Sequence, residues 1–167
     1  MKDLTGMTWA NLPRPVRTVA RWLTLVQTVG YTVSLIFVYH TTRLLPHGAE
    51  TRYRGVDPGT VTGAMQFPKP LGEMLTSTHT HVLAMAAIFA FSGFALALCQ
   101  RPSERWRRFL IAEPFAAILV TFTSIWLMRY VEPRFSLLLF ASSGLAAVTF
   151  YVQTAIILVE LHRAESP

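Results

Sequence analysis

Four long apolar stretches constrain the fold of this chain more than any other feature of its sequence. They cover approximately residues 22–40, 70–99, 109–128 and 135–159. A helix needs about 20 consecutive, mostly apolar residues to cross the hydrocarbon core of a bilayer, and it pairs its own backbone groups there. Charged residues make up only 14% of the chain, whereas soluble proteins average about 25%. The sequence therefore predicts an all-α integral membrane four-helix bundle, a single domain over residues 1–167 that is surrounded by lipid.

The distribution of basic residues predicts the orientation of these spans. The net charge is +6, but the basic residues flank apolar stretches, which is typical of topology signals rather than of a nucleic-acid-binding surface. Nine lie on the side that holds both termini and the short second loop: Lys2, Arg14, Arg17, Arg21, Arg101, Arg105, Arg107, Arg108 and Arg163. Six lie on the other side: Arg43, Arg52, Arg54, Lys69, Arg129 and Arg134. The positive-inside rule then predicts cytoplasmic termini, a long outer loop at 41–69 and a multi-pass location in the cell inner membrane.

Four of the five histidines cluster on the predicted outer side, and this is the main chemical signal in the sequence. His40 ends the first span, His47 follows in the loop, and His79 and His81 begin the second span. Because neutral imidazole binds haem iron, His40 could ligate a b-type haem together with His79 or His81 at a similar depth. Covalent c-type haem is excluded, since the chain has one cysteine and no Cys-x-x-Cys-His motif.

Other interpretations of the histidines stay open. Histidines at a span end often bond to water or lipid headgroups, and His79, His81 and Glu73 could instead bind a transition metal. The two span-two histidines cannot share one face, because two residues on a helix differ by about 200° of rotation. The stripe that continues from His79 is rich in small residues that admit a close neighbour, which favours His79 as the bundle-facing histidine, although His81 could also bind a ligand.

Glu113 is an ionisable residue inside the third apolar stretch. Such residues are costly in a membrane and invite a functional interpretation. Glu113 lies about one turn inside this span on the predicted cytoplasmic side. On one interpretation its carboxylate reaches the cytoplasmic interface or pairs with an arginine such as Arg108. On the other it handles protons or binds a quinone. Deeper in the spans, Gln27 and Gln153 are expected to form hydrogen bonds between helices, because an unpaired amide in hydrocarbon is expensive.

Several short motifs resemble a family of small bacterial membrane proteins with four spans, some of which carry the mistaken label of elongation factor. The motifs are Tyr53-Arg54-Gly55, Phe67-Pro68-Lys69, Gly72-Glu73-Met74-Leu75 and Thr78-His79-Thr80-His81. The resemblance covers the first loop and the second span. It implies a similar four-span fold and a role for the Thr-His-x-His turn.

Motifs of self-contained enzymes are absent from the sequence: it has no phosphate-binding loop, dinucleotide fingerprint, nucleophile elbow or His-Glu-x-x-His motif. We therefore expect a subunit of a redox complex rather than a self-contained enzyme. The first hypothesis is an electron-transfer subunit that binds haem b near the outer face and works with a quinone or a redox partner. The alternatives are a non-catalytic accessory subunit, in contact with other membrane or periplasmic subunits, and an outer-side metal-binding protein.

Overall fold

Five α-helices and a short 3-10 helix make up the fold. The computed structural model describes residues 6–56 and 66–165, and within these ranges the chain contains no β-strand. The 3-10 helix covers Trp9–Asn11, and the α-helices are α1 (Arg14–Thr42), α2 (Pro46–Arg54), α3 (Leu71–Ala97), α4 (Glu104–Tyr130) and α5 (Phe135–Arg163). All except α2 are long and apolar enough to cross a membrane. The predicted all-α membrane bundle is confirmed.

Two spans begin earlier than their apolar stretches indicate. The first helix starts at Arg14 rather than near residue 22, and α4 starts at Glu104 rather than near residue 109. Arginine is a good helix former, and its long stem can follow an apolar surface while its charged end reaches water. When a span is delimited by its apolar residues alone, these basic turns are left out, although they belong to the same helices.

The tightest packing joins α4 and α5, which run antiparallel. The third helix packs on both of them, whereas α1 lies along α5 and touches α3 only lightly. Two interhelical hydrogen bonds link α4 to α5, from Gln153 Nε2 to the Leu110 carbonyl oxygen at 2.6 Å and between the Thr121 and Ser142 hydroxyls at 2.8 Å. The bundle is therefore a three-helix core with α1 at its edge.

Both termini lie at the same end of the bundle, which we call the terminal face. Arg17 on α1 donates a hydrogen bond to the Ala164 carbonyl at the end of α5, and Arg21 pairs with Glu165 at 2.7 Å. The indole Nε1 of Trp9 donates to the Ala95 carbonyl near the end of α3 at 3.0 Å. These contacts show that the termini share a face, and the charge distribution predicts that this face is cytoplasmic.

The opposite end, which we call the loop face, is covered by α2. Sequence analysis predicted no helix between 41 and 69, because a short polar helix has no apolar periodicity. Arg54 at the end of α2 donates to the Met128 carbonyl at 2.8 Å, and Glu50 accepts a hydrogen bond from Ser136 at the start of α5. The first loop is thus folded over the span ends, while its residues 57–65 lie outside the described ranges.

Candidate functional site

His81 has the most defined surroundings of the loop-face histidines. Its Nδ1 lies 2.8 Å from the Ser77 carbonyl oxygen, one turn earlier on α3. A carbonyl oxygen only accepts hydrogen bonds, so Nδ1 donates. The lone pair of the neutral imidazole is then on Nε2, as it is in histidines that bind metals through Nε2. The ring is exposed and lies 6.2 Å from the Phe122 ring on α4.

His79 is exposed and has neither a hydrogen bond nor a ring contact within the described part of the chain. Of the two histidines, only His81 has a ring contact with a neighbouring helix among the described residues, which favours His81 over His79 as the histidine on the packed side of α3. Along the small-residue stripe that continues from His79, only Gly93 is buried, and a Cβ added there would lie 3.4 Å from Ile111. Between Leu75 and Ile88 no side chain of α3 is buried, so the packing at Gly93 does not continue to His79.

His40 lies in the last turn of α1, exposed, with its ring 5.7 Å from that of Tyr39. Its depth follows from the contact between Tyr31 and Phe89, whose rings are 6.3 Å apart. The two helices run in opposite directions, and similar lengths of helix separate His40 from Tyr31 and His81 from Phe89. His40 and His81 therefore lie at similar depths near the loop face.

The space between α1 and α3 on the loop side of the Tyr31–Phe89 contact is crossed by few contacts, because α1 touches α3 only lightly. Among the described residues, no hydrogen bond or ring contact joins the two helices there. No side chain of α1 from Leu25 to Thr41 is buried. We call this space the loop-side groove.

The remaining candidate residues at the loop face lie next to residues with which they can form ion pairs. Glu73 pairs with Lys69 at 2.6 Å, and His47 on α2 lies 3.6 Å from Glu50 with its side chain 90% exposed. In residues 6–56 and 66–165, no three His, Cys, Asp or Glu side chains come together as a metal site. A transition metal at His79 and His81 would therefore compete with Lys69 for Glu73.

Glu113 lies more than two turns inside α4 rather than about one turn from its start, because the helix begins at Glu104. The proposed pair with Arg108 does not form: Arg108 pairs with Glu104, one turn earlier on the same face. Glu113 is only 7% exposed, and neither of its carboxylate oxygens has a hydrogen-bond partner in the described chain. The structure therefore holds an unpaired carboxyl group in the interior of the bundle.

Pro114 explains the hydrogen bond between α4 and α5. Proline has no N–H to donate, so the Leu110 carbonyl lacks its usual partner within the helix. Gln153 Nε2 supplies the donor from α5, as expected for a glutamine between helices, and its own Oε1 is buried without a partner. Gln27 is half-buried and forms no hydrogen bond with any described residue, so the same expectation was wrong there.

Sequence analysis missed Tyr31, which attaches α1 to the core. Its ring stacks on Phe150 with centroids 4.2 Å apart, and the neighbouring Thr32 hydroxyl lies 2.8 Å from the Tyr151 hydroxyl. A polar face that recurs at Thr24, Thr28 and Tyr31 is the sequence signal that could have indicated the inward side of α1.

The fold and the sequence together define the class of this protein as a small multi-pass helical membrane protein. A family model described as a transmembrane helical domain matches residues 43–167, and the chain belongs to this family. The match begins directly after the end of α1, so it contains α2 to α5. No curated protein and no solved structure matches the chain.

Proposed function

We propose that the protein is an electron-transfer subunit of a membrane complex and binds haem b in the loop-side groove. His81 and His40 are the proposed axial ligands, with His79 as the alternative on α3. The hydrogen bond from His81 Nδ1 to the Ser77 carbonyl carries the proposal, because it leaves Nε2 available to iron.

The position of the groove supports this assignment. Bis-histidine ligation needs two imidazoles at a similar depth on separate helices, and His40 and His81 meet that condition. Apolar side chains present in the loop-side halves of both α1 and α3 suit a porphyrin ring, and the arginines of the loop face suit its propionates. Bound haem supplies one-electron transfer. The proposed electron path joins a quinone in the membrane to a redox partner on the loop face, which is the periplasmic side under the predicted orientation.

A reduced-minus-oxidised visible spectrum of the purified protein tests the haem assignment. We expect an α band in the wild type that is lost in H81A and weakened or lost in H40A. H47A is the matched control, because His47 lies on α2 and its side chain is almost fully exposed. H79A distinguishes the two histidines of α3, since it abolishes the band only if His79 is the ligand.

Two results would contradict the haem assignment. One is the absence of an α band after haem supplementation, and the other is an unchanged spectrum in the variant that lacks His40, His79 and His81. Metal analysis of the same preparations tests the alternative, a transition metal held by His79, His81 and Glu73.

An accessory, non-catalytic subunit is the second candidate function. It is favoured by α1, which lies outside the matched family domain and has exposed large apolar side chains along most of its length. We expect partner subunits to co-purify in mild detergent. A solitary, monodisperse protein that carries its own haem would contradict the accessory role and support electron transfer.

A further inference from the structure

We propose that Glu113 is a proton-binding site inside the membrane, where its carboxyl group carries an exchangeable proton. The site lies on α4, away from the loop-side groove, and the inference does not depend on haem binding. The step is the reversible protonation of a carboxylate, which needs no other reactant.

The first argument is the lack of any cationic partner for Glu113. Both of its carboxylate oxygens are buried and unpartnered. The sequence has no lysine or arginine between Arg21 and Arg43, between Lys69 and Arg101, between Arg108 and Arg129, or between Arg134 and Arg163. The central parts of all four spans therefore lack basic side chains. Because an isolated ionised carboxylate is strongly unfavourable in an apolar medium, a proton is the simplest means of neutralising this one.

A second, independent observation comes from α5. The Gln153 side chain is fully buried, and its Nε2 is engaged by the Leu110 carbonyl, one turn before Glu113. Its Oε1 has no donor in the described chain. This part of the bundle therefore contains buried, unpaired oxygen acceptors on two helices. A protonated carboxyl group provides an O–H donor, so one proton removes the charge and also adds a donor to this region.

The titratable groups near Glu113 supply no positive charge that could balance an ionised carboxylate. Tyr31 on α1 lies within electrostatic range of Glu113, and Tyr151 on α5 lies within range of Tyr31. Neither phenol carries a positive charge. The third helix has no titratable side chain between His81 and its last residue, Ala97.

Infrared spectroscopy of the protein in lipid bilayers at neutral pH tests the proposal. The chain is labelled with ¹³C-carboxyl glutamate, which separates its signals from those of aspartates and of haem propionates. We expect the wild type to show the C=O stretch of one neutral glutamic acid, shifted in D₂O because the proton exchanges. The band is lost completely in E113Q and retained in E104Q, the matched control on the same helix, whose carboxylate is exposed.

The proposal is overturned if E113Q loses carboxylate bands instead of the neutral-acid band, or if the neutral band does not shift in D₂O. Should E113Q fail to fold, the wild-type spectrum decides alone, because Glu113 is the only buried glutamate and all seven glutamates lie in the described ranges. A folded wild type without a neutral-acid band at neutral pH then overturns it. Because the measurement does not involve haem absorbance, failure of the haem assignment leaves this result intact.

Discussion

At the scale of single residues, one proline determines how two helices meet. Pro114 deprives the Leu110 carbonyl of its partner within α4, and Gln153 replaces that partner from α5. An interior proline usually weakens or kinks a helix, but a donor from a neighbouring helix can pair the freed carbonyl in a membrane. The pair of residues therefore acts as a specific contact between α4 and α5.

We expect Q153L to lower the free energy of unfolding by about 1 kcal/mol, because it leaves a buried carbonyl unpaired. The loss should be smaller in a P114A background, where residue 114 regains an N–H that can reach Leu110. Unfolding in sodium dodecyl sulfate, followed by tryptophan fluorescence, measures both values. Q27L is the matched control, since Gln27 makes no comparable bond. Equal losses in the two backgrounds would refute the coupling.

The packing of Trp9 allows a second prediction at the residue scale, which concerns the reactivity of Cys99. It is buried at the terminal face in the same apolar cluster as Cys99, the single cysteine of the chain, which is only 2% exposed. We expect W9A to make Cys99 react with maleimide at least about tenfold faster than the wild type does. A loss of about 1.4 kcal/mol in the free energy of local opening suffices for that factor. W106A removes an exposed tryptophan and should leave the rate unchanged; equal rates in W9A and the wild type would contradict the prediction.

At the scale of elements, the turn between α1 and α2 depends on a close approach of backbone. A Cβ atom added at Gly48 would lie 1.9 Å from the Thr42 carbonyl oxygen, whereas nothing lies within 4 Å of a Cβ added at Gly72. We expect G48A to cost about 1–3 kcal/mol of stability, the usual range for overpacking, and G72A to cost none. Detergent unfolding of the two variants provides the comparison, and equal stabilities would show that the turn tolerates a side chain.

The elements also show what the sequence could predict and what it could not. The four spans were predictable because lipid requires long apolar helices. The starts of α1 and α4 were not, because Arg17 and Arg108 belong to these helices while resembling flanking signals. The error at α4 placed Glu113 too near the start of its helix and led one interpretation to pair it with Arg108, which bonds to Glu104 instead.

The candidate site was predictable only in part. Helical spacing shows correctly that His79 and His81 point to different sides of α3, but it does not indicate which side meets a neighbour. That depends on where the packing of α3 against the other helices begins, and the contact of His81 with Phe122 comes from tertiary structure. Gln153 was predictable as a bonding residue, whereas its target, the Leu110 carbonyl, was not.

At the scale of the whole molecule, the shared position of the termini makes the orientation testable. In a C99A background, we expect Q66C on the loop face to react with a membrane-impermeant maleimide in intact cells. R105C near the terminal face should react only after permeabilisation, because the positive-inside rule places that face in the cytoplasm. Both side chains are exposed, so accessibility in the folded protein is matched. The reverse labelling pattern would invert the orientation.

The two interhelical bonds between α4 and α5 have a mechanical consequence. They lie at separate levels, one at Leu110 and Gln153 and one at Thr121 and Ser142. Sliding one helix past the other by a turn, about 5.4 Å, would break both at once. The first helix is attached to α5 near its middle by the stacked rings of Tyr31 and Phe150 and by one hydroxyl bond, between Thr32 and Tyr151. We therefore expect α1 to shift relative to α5 more readily than α4 and α5 slide past each other.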